Sequence, residues 1–207
     1  MRHHPMRHHP MRHHVRMAPG DRADDPRLGH EVLISVDVEA SGPTPGTGSL
    51  LAIGACLVED PARSFYRELQ PISGLPWDED AALIHRLDRA ELERHGVDPA
   101  TAMVDLGAWV DEVRGSGHAV FVGLNAPFDW MFVADYCWRF VGRNPFGYAA
   151  LDLKALYMGR DGVDRWGATG KAAITGRYPV AEAHTHHALD DARMQAALAR
   201  RLLHDPR

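Results

Sequence analysis

The chain has few cysteines, no long apolar run and no excess of positive charge. Its 207 residues include two cysteines, Cys56 and Cys137, and no Cys-x-x-Cys pair, which excludes a disulfide-rich scaffold and a common spacing of zinc ligands. Both cysteines have apolar neighbours, so we expect buried free thiols and a reducing, cytoplasmic location. The apolar runs are much shorter than the ~20 residues of a membrane-spanning helix, so we expect no membrane association.

The charge is distributed unevenly along the chain. The formal net charge is −5, although residues 1–16 repeat Met-Arg-His-His-Pro and contain four arginines, six histidines and no acidic residue. We interpret residues 1–30 as a disordered His/Arg-rich tail and linker, and residues 31–207 as one folded domain. A metal-scavenging or nucleic-acid-tethering arm is the alternative for the tail. Because the domain is acidic, it needs local basic contacts or metal ions to hold a polyanion.

The hydrophobic patterning predicts a mixed sheet covered by helices. Segments with strand character occupy residues 31–39, 50–58, 63–69, 118–123 and 149–153. Segments with helical character occupy residues 78–95, 99–114, 127–141 and 187–204, and the strand at 149–153 is expected to lead into a further helix. The glycine-rich stretch 160–183 is predicted to be irregular. We therefore expect an α/β fold in which a five-stranded sheet begins with three antiparallel strands and is flanked by helices.

Acidic residues occur at the ends of two predicted strands. Asp37 and Glu39 alternate along the first strand and therefore share a face, where their repulsion favours a divalent cation with oxygen ligands. A solvent-exposed strand face would explain the pair equally well. Asp129 follows the strand that ends at Gly123, and it begins a helix, where a carboxylate is favourable even without a catalytic role.

A third acidic group lies at the start of the last predicted helix. Asp191 lies in this helix, and His186 lies in the preceding turn, from which both side chains can converge on one site. A solvated cluster of His184, His186 and His187 is the alternative. If all four carboxylates meet, they require cations; two divalent ions could hold a phosphate, and a histidine could deprotonate water.

Together these segments resemble a known family of nucleases. The segments Asp37-Val-Glu39-Ala-Ser-Gly, Asn125-Ala-Pro-Phe-Asp129 and His186-His-Ala-Leu-Asp-Asp191 occur in the order of the three motifs of the DEDDh 3′→5′ exonucleases. The family includes ribonuclease T, oligoribonuclease and a polymerase proofreading subunit. The resemblance covers about residues 31–203. It implies a ribonuclease H-like fold and a two-metal-ion mechanism with Mg²⁺ or Mn²⁺.

The resemblance also implies roles for individual residues. Asp37 would bridge both metal ions, Glu39 and Asp191 would complete one metal site, and Asp129 would serve the second. His186 would be the general base, because the spacing His-x-Ala-x-x-Asp selects it over its neighbours. The terminal nucleotide would contact the backbone around Ala40 and Ser41, and Asn125 is assigned to substrate binding with them. Ala40-Ser41-Gly42-Pro43 departs mildly from the Thr-Thr-Gly that often follows the glutamate in this family.

We therefore expect a 3′→5′ exonuclease that acts on the 3′ ends of single-stranded RNA or DNA and releases nucleoside 5′-monophosphates. The sequence does not decide between RNA and DNA, and a homodimer is possible because some relatives pair. A polymerase-associated proofreading subunit, a non-catalytic nucleic-acid-binding module and a metal-handling protein are the alternatives. No polymerase-binding segment stands out, and a binding module has no need of a general base, so we expect a standalone enzyme.

Overall fold

The computed structural model describes residues 29–206. The predicted tail and linker lie outside the described residues, apart from residues 29 and 30. The strands are β1 (Glu31–Ala40), β2 (Leu50–Leu57), β3 (Ser64–Glu68), β4 (His118–Gly123) and β5 (Ala150–Asp152). The α-helices are α1 (Glu79–His85), α2 (Arg89–His95), α3 (Pro99–Arg114), α4 (Pro127–Tyr136), α5 (Leu153–Asp161), α6 (Lys171–Arg177) and α7 (Ala188–His204). Across this range no helix is long and apolar enough to cross a membrane.

The five strands form one mixed sheet in the order β3-β2-β1-β4-β5. Strands β1, β2 and β3 form an antiparallel meander, and β4 and β5 add to β1 in parallel. The predicted five-stranded mixed sheet with three antiparallel strands first is therefore confirmed. The carboxyl ends of β1, β4 and β5 lie at one edge, where sites commonly form in sheets with parallel strands.

Each face of the sheet packs against its own layer of helices. Val36 and Val38 belong to one buried cluster together with side chains of α3 and α4. Cys56 and Val122 belong to a second cluster, on the opposite face, with side chains of α5, α6 and α7. Because side chains alternate along β1, Asp37 points away from the first cluster and toward the layer that contains α7.

Three helical segments differ from the sequence-based expectation. The helix expected over residues 78–95 is two helices, because Arg86 adopts a left-handed φ of 57° and Asp88 caps α2 by accepting from the Glu91 N–H. The end of the segment expected over 127–141 is a π-helical turn, Cys137–Val141. The predicted irregularity of 160–183 is wrong in part: α6 forms there because the apolar side chain of Ile174 is buried against the sheet's second cluster.

The contact between α7 and the sheet depends on a glycine. Gly54 of β2 pairs with Asp37 of β1, and the first turn of α7 lies directly on it. A Cβ atom at this position would collide with backbone atoms of Ala188 and Leu189. The missing side chain therefore allows α7 to carry Asp191 close to Asp37.

We expect Gly54→Ala to destabilise the fold by about 1–3 kcal/mol, because backbone atoms of α7 must move to admit the methyl group. Thermal or denaturant unfolding measures this change. The matched control is Gly159→Ala in α5, where a Cβ meets nothing within 4 Å; this variant should be neutral or stabilised by about 0.5–1 kcal/mol. Equal stabilities for the two variants would contradict the close packing at Gly54.

Candidate active site

Two carboxylates project from the part of β1 that extends beyond β4. The parallel pairing of β1 with β4 ends at Ser35 and Val122, so Asp37 and Glu39 lie past it. Carboxylate oxygens of Asp37, Glu39 and Asp191 lie within 4.8 Å of one another. The alternation predicted for β1 and the entry into α7 thus bring three of the four predicted carboxylates together.

The fourth carboxylate reaches the same edge from the opposite layer. Asp129 lies in the first turn of α4, where the helix dipole stabilises negative charge. Its side chain is buried, and Oδ1 accepts a hydrogen bond of 3.0 Å from the backbone N–H of Val38. This bond fixes Asp129 to β1, between the two residues of the Asp37/Glu39 pair.

The turn before α7 wraps around the Asp191 carboxylate. The backbone N–H groups of Thr185 and His186 donate to its two oxygens, at 2.8 and 3.1 Å. His186 adopts a φ of 58°, which is uncommon for a residue with a side chain. The closed turn therefore fixes His186 next to Asp191 at the expense of a strained backbone conformation.

The three neighbouring histidines occupy different surroundings. His184 Nδ1 lies 2.5 Å from Asp191 Oδ2. The ring of His184 also packs against that of His186, with the two ring centroids 4.2 Å apart. His187 points elsewhere: its ring stacks on Tyr66 with centroids 4.6 Å apart. The three histidines therefore contact different partners, while His184 and His187 remain exposed to solvent.

The predicted metal ligands and general base line one small cavity. Its volume is about 190 Å³. The lining residues are Asp37, Val38, Glu39, Leu124, Asn125, Phe128, Asp129, His184, His186 and Asp191. All four predicted carboxylates and His186 thus surround one space, although the motifs that contain them lie up to 154 positions apart.

The three residues predicted to bind substrate occupy different places. Asn125 lines the cavity and adopts a φ of 68°. Ala40 and Ser41 are buried at the end of β1 and do not line the cavity. The Ser41 N–H donates to the Ser49 carbonyl at 2.9 Å, and the Ser41 hydroxyl accepts from the Ser49 N–H at 2.8 Å. A role for Ala40 and Ser41 in substrate binding stays a prediction.

Sequence reasoning missed Gln195, which lies on the buried side of α7. Its Nε2 donates to Asp37 Oδ1 at 2.5 Å, and its Oε1 accepts from the Leu124 N–H at 2.8 Å. Gln195 therefore links the central carboxylate to the end of β4. The available signal was a polar residue on the otherwise apolar face of a helix.

Burial and mutual repulsion raise the pKa values of the clustered carboxyl groups. Burial raises the pKa of Asp37 well above its ordinary range, and Asp129, Glu39 and Asp191 raise it further. Burial, followed by Asp191 and Asp129, raises the pKa of Glu39 to about 8, and burial raises that of Asp129 to about 7. Hard divalent cations fit this oxygen-rich donor set because they offset the repulsion.

We expect the metal-free protein to lose stability as the pH rises from about 5 to about 8. In this range the folded protein retains a proton on Glu39 that the unfolded chain has released, so rising pH favours unfolding. Urea unfolding in EDTA measures the slope. Glu39→Gln should flatten it, and Mg²⁺ or Mn²⁺ should do the same for the wild type. An unchanged slope in Glu39→Gln would contradict the raised pKa.

Comparison with known proteins places the chain among nucleases. No family model matches it. It is 41% identical over 179 residues to 3'-5' DNA exonuclease Cap18 of Escherichia coli, an alignment that covers 84% of this chain and 92% of that protein.

Solved structures share the fold at low sequence identity. The nuclease domain of 3'hExo, a DEDDh family member bound to rAMP, superposes with a TM-score of 0.70 at 14% identity, over 85% of this chain and 93% of that chain. E. coli Exonuclease I in complex with a dT13 oligonucleotide gives a TM-score of 0.64 at 15% identity, over 83% of this chain and 40% of that one. These similarities confirm the predicted ribonuclease H-like fold.

The fold and the carboxylate cluster define a nuclease of the ribonuclease H-like class. The chain belongs to the DEDDh family of exonucleases, and it is a 3′→5′ exonuclease. The predicted family and reaction direction are thereby confirmed.

Proposed function

We propose that the protein is a metal-dependent exonuclease that removes nucleoside 5′-monophosphates from the 3′ ends of single-stranded DNA. The observation that carries the proposal is the small cavity that Asp37, Glu39, Asp129, Asp191 and His186 line together. Such a cavity combines ligands for cations with a proton acceptor, and both are needed to hydrolyse a phosphodiester.

The carboxylates would hold two divalent cations, Mg²⁺ or Mn²⁺. Asp37 would contact both ions, Glu39 and Asp191 would complete one site, and Asp129 would serve the other. When bound, the ions supply positive charge that stabilises the attacking and leaving oxygens of an in-line displacement. The buried, mutually repelling carboxylates support this assignment, because the cluster is unfavourable without added positive charge.

His186 would accept the proton of the attacking water. Burial, and next His184, lower the pKa of His186, so its ring is neutral near pH 7 and able to accept a proton. Water then attacks the terminal phosphorus, the bond to the 3′ oxygen breaks, and the released nucleotide keeps the phosphate on its 5′ oxygen. Asp191 orients this site, since it accepts from the His186 N–H.

DNA is the favoured substrate class because the 41%-identical relative is a DNA exonuclease. Single strands are the favoured form because a structural neighbour, E. coli Exonuclease I, was solved in complex with a dT13 oligonucleotide. The free, buried thiols of Cys56 and Cys137 favour a reducing compartment such as the cytoplasm. Residues 31–207 would form the exonuclease domain. The homodimer and the interpretation of residues 1–30 as a tail and linker stay predictions.

The first test is a time course on 5′-labelled single-stranded DNA and RNA of one sequence. We expect a descending ladder with Mg²⁺ or Mn²⁺, faster on DNA, with nucleoside 5′-monophosphates as products. EDTA and Asp37→Asn should each abolish it, and Asp37→Asn should remain folded because it relieves repulsion.

A folded wild type that produces no ladder on either strand would contradict the proposal and favour a polymerase-dependent subunit or a binding module. A ladder that survives in EDTA would overturn the metal assignment alone. A faster reaction on RNA would overturn the DNA assignment alone.

A second test compares the three neighbouring histidines. His186→Ala should lower kcat by about 100-fold or more, because the general base is lost, while cation binding measured by calorimetry persists. His187→Ala is the matched control and should have little effect, since its ring stacks on Tyr66 outside the cavity. A larger loss in His184→Ala than in His186→Ala would move the general base to His184.

A further inference from the structure

A second, larger cavity adjoins the carboxylate cluster. Its volume is about 260 Å³, and it shares Asp37, Leu124, Asn125 and His184 with the small cavity. The remaining lining residues are Lys154, Gly170, Lys171, Met194 and Gln195. Because four residues belong to both cavities, a bound chain can run directly from one into the other.

The larger cavity contains the only lysines of the sequence. Of the 23 Lys and Arg residues, two are lysines, and both Lys154 and Lys171 line this cavity. They come from α5 and α6, which are separate helices, so their proximity arises from the fold rather than from a local run of basic residues. The positive charges of the two lysines therefore lie beside the carboxylate cluster.

Neither lysine forms a close ion pair in the described part of the chain, although Asp191 and Asp37 act on the charge of Lys171. Within residues 29–206, the ion pairs at 4.0 Å or less include no partner for Lys154 or Lys171. By contrast, the guanidinium of Arg160 in α5 is already engaged within the protein, because it donates to the Tyr178 hydroxyl and to the Asp205 carbonyl. The lysine ammonium groups thus remain available to an anion.

An exposed aromatic ring lies beside the first lysine. Lys154 Nζ lies 4.3 Å from the centroid of the Trp166 ring and donates to Asn125 Oδ1 at 3.2 Å. Trp166 is 49% exposed, and the Thr169 hydroxyl donates to its carbonyl at 2.7 Å, which secures the backbone of this turn. An exposed ring next to an ammonium group that forms no close ion pair is typical of surfaces that bind single-stranded nucleic acid by stacking and charge.

We propose that the cavity between Lys154 and Lys171 binds the phosphate next to the scissile one, and that Trp166 stacks the adjoining base. This inference rests on the proposed function. The terminal nucleotide has no phosphate on its 3′ side, so every phosphate other than the scissile one lies on the 5′ side. The lysine cavity therefore takes the part of the strand that remains after cleavage. Lysine suits this role because its ammonium group is a mobile point charge.

The test compares a thymidine dinucleotide with a trinucleotide, both with a free 5′ hydroxyl. The dinucleotide contains only the scissile phosphate, and the trinucleotide contains one more. Lys154→Gln and Lys171→Gln should each lower kcat/KM for the trinucleotide by about 10-fold or more, as expected for loss of a hydrogen bond to a charged group. Each variant should lower the dinucleotide value less, and the ratio of the two values is the readout, because an effect of Lys171 on the charge of His186 is common to both substrates. Arg165→Gln is the matched control, because Arg165 is an exposed basic residue that does not line the cavity.

Binding provides a readout that does not depend on turnover. Titration of the protein with a thymidine oligonucleotide in EDTA should quench tryptophan fluorescence, and Trp166→Phe should remove most of the quenching. Phenylalanine retains a stacking face, so Trp166→Phe should keep more trinucleotide activity than Trp166→Ala. Equal activity of these two variants would overturn the stacking role.

The other outcomes of the comparison between dinucleotide and trinucleotide also support or overturn the proposal. An equal loss on both substrates would place the lysines at the scissile phosphate and overturn the proposal, as would no loss on either. If the wild type degrades no nucleic acid, the proposed function is wrong. The fluorescence titration with Lys154→Gln and Lys171→Gln then decides the cavity separately: weakened binding supports it, and unchanged binding overturns it.

Discussion

The mutual repulsion of four carboxylates at one edge of the sheet is the constraint on which the rest of the structure depends. No single element positions them: β1 supplies two, and α4 and α7, from opposite faces of the sheet, supply one each. The Val38 N–H holds Asp129, and the Gln195 amide holds Asp37. Since each donor belongs to a buried element, packing of the core keeps the carboxyl groups together despite their repulsion.

The sequence predicted the parts of the site that follow from local geometry. Alternation along a strand places Asp37 and Glu39 on one face, and the helix-start signals place Asp129 and Asp191 correctly. Gln195 could not be assigned in this way, because its role depends on Asp37, which lies 158 positions away. The helix α6 was missed for a related reason: seven residues with an internal glycine form a helix only because Ile174 finds a buried partner surface.

The backbone conformation of the turn before α7 gives neighbouring histidines different surroundings. Three histidines within four positions differ in surroundings because the turn before α7 closes on Asp191 and forces His186 into a left-handed conformation. His184 then faces the same carboxylate, while His187 is directed to Tyr66 across the sheet edge. The spacing of the motif selects His186 as the general base, and this selection stays a prediction.

The scarcity of lysine has a practical consequence. Lys154 and Lys171 are the only side-chain primary amines of this sequence, and both open into the cavity beside the carboxylates. Acylating reagents that react with amines therefore have no other side-chain amine to modify. A fluorophore attached by ordinary lysine chemistry would sit at the rim of the cavity without any change to the sequence. The protein thus carries its own attachment point for a reporter that senses occupancy of this cavity.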